Sequence, residues 1–205
     1  YGMLSEICIT DSSDPLAQLS SYHKEKQDWI FGMLSYDLKN DLHHQLHSLN
    51  RASMEVPDLC FFQPQHVIYL QEGTLHIESI GNARNELERL LDLDSNTKAN
   101  DELVMSTKIE SYTSKSQYLN TIKRIKHEIR DGNVYEVNYC LHHTARISAK
   151  TNSFSLYERL SQLSPAPYSA FFKSQQWSLV STSPERYLRK SGSQIISQPI
   201  KGTRP

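Results

Sequence analysis

Three short turn signals limit the architectures open to this chain. Glu72-Gly73-Thr74, Ser174-Gln175-Gln176 and Ser191-Gly192-Ser193 each sit between two brief runs with apolar alternation. A link of two or three residues joins antiparallel neighbours, whereas parallel strands need a crossover of roughly a dozen residues. The runs so joined are residues 67–71 with 75–80, 168–173 with 177–182, and 187–190 with 194–198. Residues 4–10, 29–36 (carrying Gly32), 60–63 and 134–148 also read as strands.

Helical spacing appears between these groups. Asp14 caps and Pro15 opens a helix to about residue 26. Leucines at 87, 90, 91 and 93 mark an amphipathic helix over 85–93. Over 114–131, Tyr118, Ile122, Ile125 and Ile129 recur at three and four, Ser114 can cap, and Gly132 stops the helix. Residues 154–163 form another helix, capped by Ser153 or Asn152. Residues 38–49 read as a helix or an irregular polar segment. The sum is an α+β fold of antiparallel β-sheet layers with flanking helices. A polar stretch, residues 95–101, is expected to join two layers of one domain.

With 205 residues, the chain holds 22 basic and 23 acidic residues for a net charge of −1. That balance argues against a nucleic-acid or anionic-membrane partner, and no apolar run approaches a membrane span. The chain opens on Tyr1 instead of Met, which leads us to expect trimming at that end. Cys8, Cys60 and Cys140 are isolated and odd in number. Buried thiols in a reducing, cytoplasmic compartment are the expectation. His43 and His47 lie one helical turn apart, but no His-Glu-x-x-His pattern accompanies them, and no metal site is expected there.

Chemistry concentrates near the end of the chain. Lys201 follows an apolar-alternating strand and precedes Gly202, which lets the backbone turn and lets a ligand approach its N–H. Taken locally, Lys201 is a solvated strand-end lysine. Desolvated, the same amine becomes a nucleophile. Folding the hairpin about Gly192 puts Glu185 opposite about residue 199, so Glu185 and Lys201 share its open end. Such a pair can exchange a proton, or can form an ordinary ion pair worth at most about 1 kcal/mol. Along 134–148, period two places Glu136, Asn138 and Cys140 on one face. Solvent exposure is the plain account of that polar face.

The longer motifs resemble a known family. Pro199-Ile200-Lys201-Gly202-Thr203-Arg204-Pro205, together with Ser183-Pro184-Glu185-Arg186-Tyr187 and Gly132-Asn133-Val134-Tyr135-Glu136-Val137-Asn138, resembles the chorismate-utilising enzymes. Within them the pattern is similar to component I of aminodeoxychorismate synthase, on the p-aminobenzoate branch leading to folate. The resemblance is strong over residues 105–205 and loose before. It implies the anthranilate synthase component I-like fold, of which this chain would be the N-terminal portion. It also implies chorismate as substrate, a glutamine amidotransferase subunit supplying ammonia, and Mg²⁺ whose ligands lie downstream of Pro205. The 205 residues alone would then be catalytically incomplete and prone to self-association through an exposed edge.

Residue by residue, the resemblance makes Lys201 the nucleophile on chorismate C2 and Glu185 its catalytic partner. Glu136, Asn138, Gly202 and Thr203 become substrate-binding residues. Where this chain has Glu136, many members have glutamine and the water-adding isochorismate and salicylate synthases have lysine, so the water-adding reaction is disfavoured. Anthranilate synthases usually have alanine where Lys201 stands. Ser164-Pro165-Ala166-Pro167-Tyr168 is similar to a segment that helps form a tryptophan pocket in anthranilate synthases, though Ser164 replaces its asparagine. The alternatives are anthranilate synthase component I, and a non-catalytic chorismate- or tryptophan-binding or amidotransferase-docking module.

Overall fold

The computed structural model describes residues 3–9, 14–43, 45, 55–92, 108–148 and 151–200. The chain divides into two units, residues 1–98 with 172–177 and residues 99–171 with 178–205. The expected link at 95–101, His47 and Lys201 to Pro205 lie outside the described residues.

In the first unit, β1 (Met3–Ile9), β2 (Phe31–Leu34) and β3 (Leu59–Pro64) form an antiparallel sheet with β3 in the middle. Helix α1 (Pro15–Lys26) begins as its sequence requires: the Asp14 carboxylate accepts a hydrogen bond from the Ala17 amide at 3.0 Å. Tyr22 ties this helix to the sheet. Its hydroxyl donates to the Ser5 carbonyl at 2.9 Å and accepts from the Gln63 amide at 3.2 Å. Ser5 and Gln63 are ladder partners, and the register shifts just before them, between Met3 and Ser5, so the hydroxyl holds both strands beside an irregularity in the ladder. Gly32 lies opposite Phe61, and a Cβ there would collide with the Cys60 carbonyl oxygen and with Phe61. Leu38 and Leu59 form the core, packed by Ile7, Leu19 and Phe61. A short helix, α2 (Lys39–Leu42), follows a 3₁₀ turn at Tyr36–Leu38. The hairpin of β4 (His66–Gln71) and β5 (Thr74–Ser79) turns at Glu72 and Gly73, both at positive φ. Helix α3 (Ala83–Leu91) follows.

In the second unit, β6 (Glu110–Ser111) precedes α4 (Lys115–Arg130), which carries a complete capping box. The Ser114 hydroxyl accepts from the Gln117 amide, and the Gln117 side chain accepts from the Ser114 amide. Gly132 at φ +76° ends the helix, and its amide donates back to the Ile129 carbonyl. Helix α5 (Ser153–Leu163) is capped by Asn152, whose carbonyl oxygen accepts from the Phe154 amide. It packs through Phe154 and Tyr157 on Phe171 of β8 (Tyr168–Lys173). β8 pairs with β9 (Ser178–Ser183), and β10 (Arg186–Ser191) pairs with β11 (Gln194–Gln198) across Gly192 at φ +57°. The α+β class with antiparallel pairing is the class expected. No helix among the described residues is long and apolar enough to cross a membrane.

Two expectations are corrected. The long strand over residues 134–148 does not form. Within it only β7 (His143–Thr144) pairs, with β6. A strand is a property of two chains in register, and Glu110–Ser111 offers a partner of two residues. Alternation in that run therefore does not divide Glu136 and Asn138 from their neighbours by sheet face. The second correction concerns the thiols: Cys8 and Cys60, opposite each other in the β1–β3 ladder, are joined as a disulfide, and Cys140 is exposed. Their Cα atoms are 4.1 Å apart, brought together by a pairing between residues 52 positions apart in the chain.

Candidate functional site

The β10–β11 hairpin organises the residues singled out at the chain's end. Its turn is the two-residue Gly192-Ser193 link between the paired Ser191 and Gln194. Lys190 pairs with Ile195, and a register shift between Arg186 and Arg189 leaves Arg186 opposite Gln198 at the open end. Glu185 is the next residue outward, one step beyond that last pair and level with Pro199. It is half-buried, and its amide donates to the Ser183 hydroxyl, which in turn donates to the Glu185 carbonyl at 3.0 Å. This tight turn fixes the backbone of Ser183-Pro184-Glu185 where β9 gives way to β10. Lys201, Gly202 and Thr203, three to five residues past β11, lie outside the described residues.

Beside Glu185 the structure places a cation, Arg186, to which the Ser183–Tyr187 motif alone assigns no role. The Arg186 guanidinium stands 4.8 Å over the Tyr168 ring and donates to its hydroxyl at 3.3 Å. Tyr168 is the first residue after the Pro-Ala-Pro connector, so that connector delivers the ring that holds Arg186. The signal available in the sequence was the adjacency of Glu185 and Arg186; the Tyr168 partner, 18 residues away, was not visible.

Glu136 and Asn138 are both exposed on the irregular segment after α4. The segment is tethered by rings: Tyr139 stacks on Tyr118 of α4 at 5.8 Å, and His142 stacks on Tyr112 at 4.6 Å. Among the described residues no hydrogen bond or ion pair joins Glu136 or Asn138 to Glu185. At β6 and β7, Lys108, Glu110, Tyr112 and Arg146 line a cleft of about 370 Å³. Its two cations and one carboxylate, with an aromatic wall, are groups that can hold a small anion.

The only cluster of potential metal ligands among the described residues is Glu6 with Cys8 and Cys60. Two sulfurs do not suit magnesium, a hard cation that takes oxygen ligands.

Anthranilate synthase component 1 of Thermus thermophilus is 28% identical over 185 residues, covering 86% of this chain and 39% of that protein. The chloroplastic aminodeoxychorismate synthase of Arabidopsis thaliana is also 28% identical, over 194 residues, covering 84% of this chain and 21% of that protein. The chain thus spans well under half the length of these relatives. The crystal structure of anthranilate synthase component I from Streptococcus pneumoniae superposes with a TM-score of 0.75 at 16% identity. That match covers 95% of this chain and 51% of the other, and it shows the fold. Residues 7–205 match the family described as chorismate binding enzyme, and the chain belongs to that family.

Proposed function

We propose that this chain carries the nucleophile of an aminodeoxychorismate synthase component I, with Lys201 as that group. The observation that carries the reading is the lysine itself, in Pro199-Ile200-Lys201-Gly202-Thr203, directly beyond the last paired residue of β11. Relatives of both the anthranilate and the aminodeoxychorismate kind match at 28% identity, so the choice rests on residue 201. In the alanine-bearing anthranilate synthases, ammonia attacks C2 of chorismate. An amine on the protein at that place takes the attack for itself.

The neutral Lys201 amine adds to chorismate C2, the ring double bonds shift, and the C4 hydroxyl departs with a proton as water. Ammonia, supplied by a glutamine amidotransferase subunit, then adds at C4 and Lys201 leaves C2. The product is 4-amino-4-deoxychorismate. Glu185 takes the proton from the attacking amine and passes it to the departing C4 hydroxyl, then takes one from the incoming ammonia and gives it to the departing lysine, work that typically contributes about 10²–10⁴-fold. Glu136, Asn138, the Gly202 amide and the Thr203 hydroxyl bind the substrate, with the last two directed at a carboxylate. Mg²⁺, when bound, would neutralise a chorismate carboxylate. No described residue set fits it, and no step above passes through it.

The test is mass spectrometry of the active enzyme containing this chain, mixed with chorismate and Mg²⁺. An adduct should appear on Lys201 and be absent from Lys201→Ala, which should retain slow direct amination at best. Glu185→Gln should lower turnover about a hundredfold or more while leaving the melting temperature nearly unchanged. Full activity in Lys201→Ala, or anthranilate as the product, would refute the assignment. Chorismate binding without turnover in the wild-type protein would favour a non-catalytic binding module.

A further inference from the structure

We propose that Glu6, Cys8 and Cys60 form a binding site for a soft divalent cation of the zinc class when the two cysteines are reduced. Their ligand atoms lie within 4.8 Å of one another. The sheet produces this convergence. Cys8 and Cys60 are direct cross-strand partners, and Glu6, two residues before Cys8, points to the same face of β1. The Glu6 Oε1 atom lies 3.1 Å from Cys8 Sγ and 3.3 Å from Cys60 Sγ.

The bridged form leaves that oxygen poorly served. A disulfide has no S–H, so the carboxylate faces two sulfurs with no proton to accept. Two thiols would each donate to it, and a cation would satisfy all three atoms at once. The surroundings favour the cation. A surface pocket of about 450 Å³ opens on Glu6 and Cys8, is walled by Trp177, and includes a second carboxylate, Glu55. No lysine or arginine is among the residues lining it. Three protein ligands with a solvent-accessible fourth position match an open, exchangeable zinc site, in contrast to the closed four-ligand sites that hold folds together. Paired thiolates select zinc or cadmium over magnesium and calcium.

The bridge and the metal site exclude each other. A water-soluble phosphine opens the bridge: it takes oxygen from water to become the phosphine oxide, and the two hydrogens end on the Cys8 and Cys60 sulfurs. Metal binding then displaces both protons, so affinity rises with pH. This site lies in the first unit and is independent of the chorismate reading.

The experiment titrates phosphine-reduced protein with Zn²⁺ by calorimetry, in two buffers of different ionisation enthalpy, and with Cd²⁺ by ultraviolet absorption. One ion per chain is expected, with proton release and a thiolate-to-cadmium charge-transfer band. Both signals should vanish in Cys8→Ser and in protein left oxidised, and should persist in Cys140→Ser. Glu6→Gln should weaken binding about tenfold or more, since losing a ligand costs at least as much as losing an outer partner. Cys60 is fully buried and Cys60→Ser risks misfolding, so the exposed Cys8 carries the test. Absence of stoichiometric binding to reduced protein, or binding unchanged in Cys8→Ser, would overturn the proposal.

Discussion

Tyr22→Phe isolates one atom that bridges α1 to the sheet. Tyr22 is 8% exposed, so its hydroxyl works in a largely dry setting. It donates to the Ser5 carbonyl at 2.9 Å, accepts from the Gln63 amide at 3.2 Å and contacts the Ser5 hydroxyl at 2.8 Å. Removing it takes one hydrogen bond from the Gln63 N–H and one from the Ser5 C=O. A net hydrogen bond contributes about 1 kcal/mol, and each group left unsatisfied costs about 1–3 kcal/mol. Because both groups are only partly buried, the expected loss is about 2–3 kcal/mol. For a chain of this size that corresponds to a fall in melting temperature of about 4–12 °C. Circular dichroism through a thermal ramp measures it, with Tyr69→Phe as control. The Tyr69 hydroxyl donates too, to the Glu78 carboxylate, but in the open. A Tyr22→Phe protein that melts with the wild type would mean that the Ser5 carbonyl and the Gln63 amide are satisfied without the hydroxyl and that it is incidental.

Two further changes probe the elements that carry the sites. Gly32→Ala should destabilise the protein by about 1–3 kcal/mol or more, because the colliding Cys60 carbonyl is backbone and cannot step aside; denaturant unfolding with unchanged stability would contradict the close approach of β2 to β3. Ser114→Ala removes the side-chain acceptor of the capping box and should cost about 1 kcal/mol, read as faster amide exchange in the first turn of α4 and not at its Gly132 end.

Helix ends were legible because a cap is a local device. Asp14, Ser114 and Asn152 each bind an amide two or three residues on, and the sequence displays both partners together. Hairpins were legible for the same reason, and the open-end pairing of Arg186 with Gln198 follows from a turn at Gly192. Residues 134–148 misled because alternation shows which side chains could share a face. It is silent on whether a neighbour's N–H and C=O are present to complete a ladder. The cysteines misled in the same way: nothing near Cys8 announces Cys60, since only the β1–β3 register brings them opposite. At the candidate site, the turn holding Glu185 and its neighbour Arg186 was readable as a motif. The Tyr168 ring that fixes Arg186 was not, because it reaches the site through another hairpin.

This division between local and distant causes bears on the proposed chemistry. The apolar residues that are buried among those described, Pro15, Tyr22, Leu38, Leu59, Cys60 and Pro64, all belong to the first unit. No described residue of the second unit is buried. Its helices and hairpins are shaped by caps, turns and ladders, while Leu188, Ile195 and Ile196 of the β10–β11 hairpin stand exposed, Ile195 at 65%. Ladder bonds fix which residues face each other. They do not fix a glutamate rotamer to the roughly 0.5 Å that proton transfer at a reacting centre demands. Burying a leucine or isoleucine contributes about 1.5–3 kcal/mol, and the same contact removes the hairpin's freedom to flex. Contacts that covered Leu188, Ile195 and Ile196 would therefore also restrain the carboxylate proposed as the proton carrier, so that under that proposal folding energy and site geometry in this unit would share one source.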